Sequence, residues 1–215
     1  MLALHVLAGL VALLAGAFAL SAPKGGPLHR RSGRAFALAM LAMTGFAIVV
    51  ASGRGQVFNI VAAGYTAYLV TTGWLALQPA TVATRRADGA LLAIALLGGL
   101  AAVTIGTLAR ARGHAFAGTT ELIFGTLALL AAVGDIRRTL RGGDASRAGR
   151  LVRHLWRMTL AMFIATMSLF LGQARQFPDA IRHSGVLYLP VLLVVLAGIM
   201  GWRRVRARAA TKAAS

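Results

Sequence analysis

The sequence predicts an all-α fold, a polytopic transmembrane bundle of seven spans with its N-terminus outside and its C-terminus cytoplasmic. Three observations carry that prediction. The chain of 215 residues is 58% hydrophobic, with mean hydropathy +0.75 and only 13% charged residues, which is too apolar for a soluble domain of this length. Seven apolar stretches recur along it, each close to the roughly 20 residues that a helix needs to cross a hydrocarbon core. Twenty-two of the 23 Lys and Arg residues lie between or beyond those stretches, in connections that alternate between basic-rich and basic-poor. Cytoplasmic loops collect Lys and Arg and translocated loops avoid them, so the alternation describes how the chain is threaded.

The expected spans are 2–22, 35–52, 58–78, 90–109, 119–135, 154–173 and 186–202. The first has nothing basic before its apolar run and the cluster Lys24, Arg30, Arg31, Arg34 after it, so it is expected to be an N-out anchor and not a cleaved signal. The second and third enclose a short connection with one basic residue, Arg54. Arg85 and Arg86 precede the fourth, Arg110 and Arg112 follow it, and six Arg residues from Arg137 to Arg153 separate the fifth from the sixth. Gln173, Arg175, Phe177 and Pro178 are expected to terminate span six. With the N-terminus outside, the inner connections hold 17 basic residues and the outer ones five, Arg157 lying in the first turn of span six. Residues 1–203 then form one transmembrane domain, and 204–215 a basic cytoplasmic tail expected to be disordered.

This distribution accounts for the formal charge of +18. It offers no basic soluble face interleaved with aromatics, so nucleic acid is excluded as a partner, and anionic lipid headgroups at the cytoplasmic face are the expected one. The absence of Cys removes disulfides, thiolate metal sites and cysteine-held clusters. The Ala, Gly, Leu and Arg bias is that of GC-rich bacterial coding and predicts a bacterial plasma (inner) membrane. Small residues at Ala8, Ala12, Gly16 and at Gly98, Ala102, Gly106 are spaced for close helix packing. Spans two and six share a Leu-Ala-Met…Thr pattern, Leu38 to Thr44 and Leu160 to Thr166, for which coincidence in a low-complexity sequence is the simpler reading than duplication.

Ionisable side chains in or beside spans are the natural functional candidates, because lipid makes them costly unless they face a partner or water. Glu121, one turn into the fifth expected span, suits a helix N-terminal dipole; alternatively it handles a proton or solute together with His114. Asp135 is expected to end that helix and pair with Arg137 and Arg138. His5, His114 and His183 fall near the outer surface, His29 and His154 near the inner one. Two imidazoles facing one another at one depth would hold a b-type haem. The inner pair has Arg30, Arg34, Arg153 and Arg157 nearby for propionates, and His5 with His183 or His114 would form an outer pair; the plain reading is interfacial, hydrogen-bonded histidines. His154 and Arg157 share a helix face. Tyr65, Tyr68 and Thr72 form a polar stripe in span three, either lining a cavity for a quinone or small solute or bonding between helices. No nucleotide loop, zinc motif or serine elbow occurs. The expected function is therefore a haem b or quinone-linked electron-transfer module, the alternative being a small-solute or proton-coupled transporter or an accessory subunit of a membrane complex.

Two passages carry a likeness. Pro27-Leu28-His29-Arg30-Arg31-Ser32-Gly33-Arg34 follows a first span containing His5, and His154-Leu155-Trp156-Arg157-Met158 leads to Phe170-Leu171-Gly172-Gln173 and Phe177-Pro178. Together they resemble the bacterial membrane family of domain of unknown function 2306. The resemblance spans both ends of the chain without its middle, and implies a multi-span inner-membrane protein without supplying a reaction.

Overall fold

The computed structural model describes residues 1–142 and 146–213, with side chains as far as Ala207. Among these the regular structure is all helical: α1 (Leu2–Ser21), α2 (Pro27–Gly53), α3 (Val57–Leu75), α4 (Val82–Ala111), α5 (Ala115–Leu140), α6 (Arg147–Met167), a short α7 (Asp179–His183) and α8 (Tyr188–Ala213). A π-helical turn, Ser168–Gly172, extends α6, and a 3-10 turn, Ala174–Gln176, follows it.

Most helices outrun the apolar stretches that announced them. Arg and Lys are good helix formers, so the chain stays helical through its charged flanks until a cap or turn stops it. Pro27, with its φ already suited to the first turn, opens α2 eight residues before the apolar run begins. Thr81 caps α4 through a reciprocal pair with Thr84, in which Thr84 N–H donates to Thr81 Oγ1 (3.2 Å) and Thr81 N–H to Thr84 Oγ1 (2.9 Å). Ser146 caps α6 by accepting the Gly149 N–H. The α4–α5 connection turns at Gly113, whose φ of +85° is costly for any residue with a Cβ. Helix α8 also passes the boundary expected at 203, running on into the segment read as a tail; 214 and 215 lie outside the described residues.

Six helices are long and apolar enough to cross a membrane: α1, α2, α4, α5, α6 with its π turn, and α8 as far as Ala207. The expected seventh, α3, has similar length but carries Asn59, Tyr65, Tyr68, Thr71 and Thr72. It is the central helix of the bundle, packed against α2, α4, α5 and α6, with Tyr65, Tyr68, Leu69, Val70 and Thr72 all buried. A helix walled by protein need not be lipophilic all round, which is why α3 lacks a stretch as apolar as the best stretch of each of the other six.

Around α3 the bundle is built from two hairpins, α1–α2 and α4–α5, and the pair α6–α8. The α4–α5 contact is the tightest. A Cβ on Gly106 would lie 2.7 Å from the Gly118 carbonyl oxygen, and one on Gly125 3.0 Å from that of Gly99, so these glycines let the backbones touch. The buried stripe on α4 is Ala95, Gly99, Ala102 and Gly106; Gly98, expected in that role, faces open space instead, because the helical period places 99 and not 98 in line with 102 and 106. On α1 the buried residues include Ala12 and Gly16, the latter closed over by Met162 and Phe36.

Candidate functional site: a buried arginine–aspartate cluster beside a lateral cleft

The charge expected at helix ends is gathered inside the bundle. Asp135 lies five residues before the end of α5, whose helix continues to Leu140, so its carboxylate turns into the bundle and not toward the interface. Its partners are correspondingly different from those expected. Arg157 Nη2 donates to Asp135 Oδ1 at 2.8 Å, and Arg153 Nη2 lies 3.5 Å from the same oxygen. Of the two arginines expected beside it, Arg138 approaches with Nε at 3.7 Å while Arg137 is exposed. Tyr68 from α3 completes the centre: its hydroxyl donates to Asp135 Oδ2 at 2.6 Å and accepts from Arg157 Nη2 at 3.2 Å.

A second carboxylate extends this cluster toward the basic end of the bundle. Asp88, on α4, receives both Arg153 Nη2 on Oδ1 (3.0 Å) and Arg153 Nη1 on Oδ2 (3.3 Å), with Arg138 Nη2 also on Oδ2 (3.3 Å). The two-point grip is the arrangement that a planar guanidinium makes best. Arg153 and Arg157 are four residues apart on α6, and so point along one face, one turn above the other. Asp135, Arg153 and Arg157 are nearly sealed, Arg157 being 1% exposed. Ions so deeply placed are tolerable only when paired and hydrogen-bonded.

Beside the cluster lies a cleft of about 390 Å³. Helices α5 and α6 both pack on α3 but not along one another, and the wedge between them is the cleft. Tyr65 lines it from α3, Leu127, Leu130 and Gly134 from α5, and Trp156 and Leu160 from α6; Asp135, Arg138, Arg153 and Arg157 form its charged wall. Tyr65 is held by Tyr68 and, edge to face, by Phe124. The Arg157 guanidinium carbon sits 4.9 Å from the Tyr68 ring centroid and 5.0 Å from that of Trp156. These contacts draw on the charge of the cation. Its in-plane Nε–H and Nη1 N–H groups have no hydrogen-bond partner.

Of the residues singled out in the sequence, the structure thus joins Tyr65, Tyr68 and Arg157 in one place. Thr72, also on the stripe, turns its hydroxyl onto the Tyr68 carbonyl of its own helix. Arg157 is committed to Asp135 and Tyr68 rather than to the surroundings of His154. His29 and His154 each bond through Nδ1 to a carbonyl of another helix, His29 to Ala19 (2.9 Å) and His154 to Gly73 (3.0 Å). A carbonyl only accepts, so Nδ1 carries the hydrogen and Nε2 is the bare nitrogen, the tautomer that an axial haem ligand requires. Arg30 donates to the Gly25 carbonyl, and both Arg30 and Arg34 are exposed. The other three histidines are engaged separately: His5 with the Met43 carbonyl, His183 with the Asp179 carbonyl, and His114 exposed as the N-cap of α5. Among the described residues, no group of three side chains forms a metal site.

Glu121 is buried with Oε2 unpartnered. Because α5 starts at Ala115 and not at Thr119, it sits nearly two turns in, beyond the first turn where the helix dipole acts. Asp88 is the residue that sequence reasoning passed over, and Arg153, expected beside the inner histidine pair, is engaged with Asp88 and Asp135. Comparison with protein-family models, curated proteins and solved structures finds no match to the chain.

Proposed function

We propose that this chain is a bacterial inner-membrane protein of seven spans, N-terminus out and C-terminus in, that binds a bilayer-borne small molecule in the α5–α6 cleft and serves as a quinone-linked redox module. The single observation that carries the reading is the cleft itself, with apolar side walls, the Tyr65 phenol and a charged wall deep enough to be shielded from water. Pockets of this kind, apolar with a few convergent polar groups, are where small ligands are held. The basic connections favour the stated orientation, the central packing of α3 favours its being the seventh span, and the likeness to domain of unknown function 2306 belongs to the same reading.

A second reading is favoured by the histidine tautomers: His29 and His154 holding a b-type haem, which would supply one-electron transfer. His29 and His154 would hold it through their ring nitrogens, with Arg30 and Arg34 available at the basic end for its propionates.

Two measurements test these readings. Decylubiquinone added to the protein in phosphatidylcholine nanodiscs is expected to raise the unfolding temperature in the wild type and not in Gly134→Phe. Gly134 lines the cleft and a Cβ there meets nothing within 4 Å, so the variant fills the cleft without straining the fold. Equal shifts in both proteins, or no shift in either, would remove the cleft as the site. For the haem, a reducible Soret band lost in His29→Ala or His154→Ala is expected; a colourless protein from haem-replete cells refutes it.

A further inference from the structure

We infer that the α5–α6 cleft also takes an anionic single-chain amphiphile, whose acid group is received by Arg157 and whose chain lies along Leu127, Leu130 and Leu160. The inference goes beyond the proposed function and rests on it only in that the cleft is a binding site.

Arg157 carries it. The guanidinium has five N–H groups, and the two on Nη2 are taken by Asp135 and Tyr68. The other three, on Nε and Nη1, are buried and unpartnered. Leaving a buried donor unmade carries that group's full desolvation penalty, which is larger still when the group is charged. The rings of Tyr68 and Trp156 near the cation attract its charge but supply no lone pair for the Nε and Nη1 hydrogens. A carboxylate or phosphate monoester has several acceptor oxygens and full negative charge, the chemistry those hydrogens lack.

Access comes from the side. Trp156 lines the cleft beside Arg157, and at 38% exposed it is the least buried of the groups around the cation. The acid group reaches Arg157 by displacing that ring, which thereby reports on binding. Aliphatic side chains line the rest of the cleft, and α5 and α6 leave it open laterally, so a hydrocarbon chain can enter from the bilayer without crossing water. A free inorganic anion would gain the charge contact and nothing along the apolar wall.

The test uses full-length protein in phosphatidylcholine nanodiscs, with oleate and dodecyl phosphate as probes. Controls are monoolein, which has the chain without the charge, and acetate and inorganic phosphate, which have the charge without the chain. Emission is read in Trp74→Phe/Trp202→Phe, which keeps Trp156 alone; unfolding temperature is read in wild type, so the result does not depend on that variant folding. At least one of the two anionic probes is expected to shift Trp156 emission and raise the unfolding temperature, binding at least tenfold tighter than monoolein, with both effects abolished by Gly134→Phe. Acetate and phosphate are expected to do neither. Equal binding of monoolein, equal effects of the chainless anions, or insensitivity to Gly134→Phe would overturn the inference. If decylubiquinone responds in a Gly134→Phe-sensitive way while oleate and dodecyl phosphate do not, the cleft stands as a site and the anionic ligand falls. If none of the three responds, both fall.

Discussion

Replacing Asp135 by Asn keeps the size and one carbonyl oxygen of the side chain and removes its charge, and the consequence is set by what Asp135 touches. One oxygen takes the Tyr68 hydroxyl at 2.6 Å and the other Arg157 at 2.8 Å, with Arg153 at 3.5 Å. In the variant the amide nitrogen brings donors to a place already supplied with donors, and Arg157, 1% exposed, loses its carboxylate with no water to replace it. Breaking one side of a buried pair costs about 3–5 kcal/mol. For a chain of this size each kcal/mol lowers the unfolding temperature by roughly 2–4 °C, so a fall of roughly 6–20 °C is expected. The internal control is Asp179→Asn. That carboxylate meets Arg182 at 2.6 Å, shorter than the Arg157 contact, yet its side chain is 79% exposed, and pairs in such surroundings contribute at most about 1 kcal/mol. Thermal unfolding of both variants in the same micelle decides the matter. Equal shifts for Asp135→Asn and Asp179→Asn would refute the argument that burial, and not contact distance, sets the weight of these pairs. A double variant, Asp135→Asn with Arg157→Met, is expected to recover part of the loss, since an apolar replacement leaves no orphaned cation.

Three further outcomes follow from the same geometry. Tyr68→Phe strips Asp135 Oδ2 of its hydroxyl donor and should cost about 1–3 kcal/mol in thermal or denaturant unfolding, with no loss if another donor already serves that oxygen. Gly106→Ala drives a methyl to within 2.7 Å of the Gly118 carbonyl and should destabilise by about 1–3 kcal/mol, whereas Gly98→Ala, with open space around it, should be neutral or slightly stabilising by helix propensity; equal effects would disprove the close α4–α5 contact. Lys24, in the α1–α2 connection, has its ammonium pushed below its ordinary value, first by burial and then by the neighbouring Arg204. Its folded form then releases the proton before its unfolded form does, so its contribution to stability improves as pH rises toward 10.5. Wild type minus Lys24→Gln should show that rise in unfolding temperature, and a difference independent of pH would count against it.

Helix number and approximate position were legible because lipid demands long apolar runs and those runs are local in sequence. Helix ends were not, since Arg residues that mark the edge of hydrocarbon do not mark the edge of helix: Arg147 to Arg153 look like a loop in composition and form the first two turns of α6. The same error concealed the cluster. With α5 taken to end at Asp135, pairing with Arg137 and Arg138 was the natural expectation; five more residues of helix turn that carboxylate inward to Arg157. Asp88 and Arg153 are 65 positions apart, and nothing local connects them. A signal did exist. The chain has only five acidic residues, so each acid near a span is a strong candidate to compensate a buried Arg, and Arg153 and Arg157 at i and i+4 already shared a face. The polar stripe on α3 was the part of the site that sequence periodicity could place, because a stripe is a property of one helix, while a cluster is a property of four.

Both carboxylates of the cluster belong to the α4–α5 hairpin, and two of its three guanidinium groups to α6. A chain made from its N-terminus therefore delivers Asp88 and Asp135 to the membrane before Arg153 and Arg157 have been synthesised. Until α6 arrives, the hairpin carries two acids against one cation, its own Arg138, an excess that is costly away from water, and α6 brings the two further guanidinium groups that complete the pairing. The cluster is thus completed only by the last-made of its helices: a chain halted after α5 leaves the hairpin with one acid in excess.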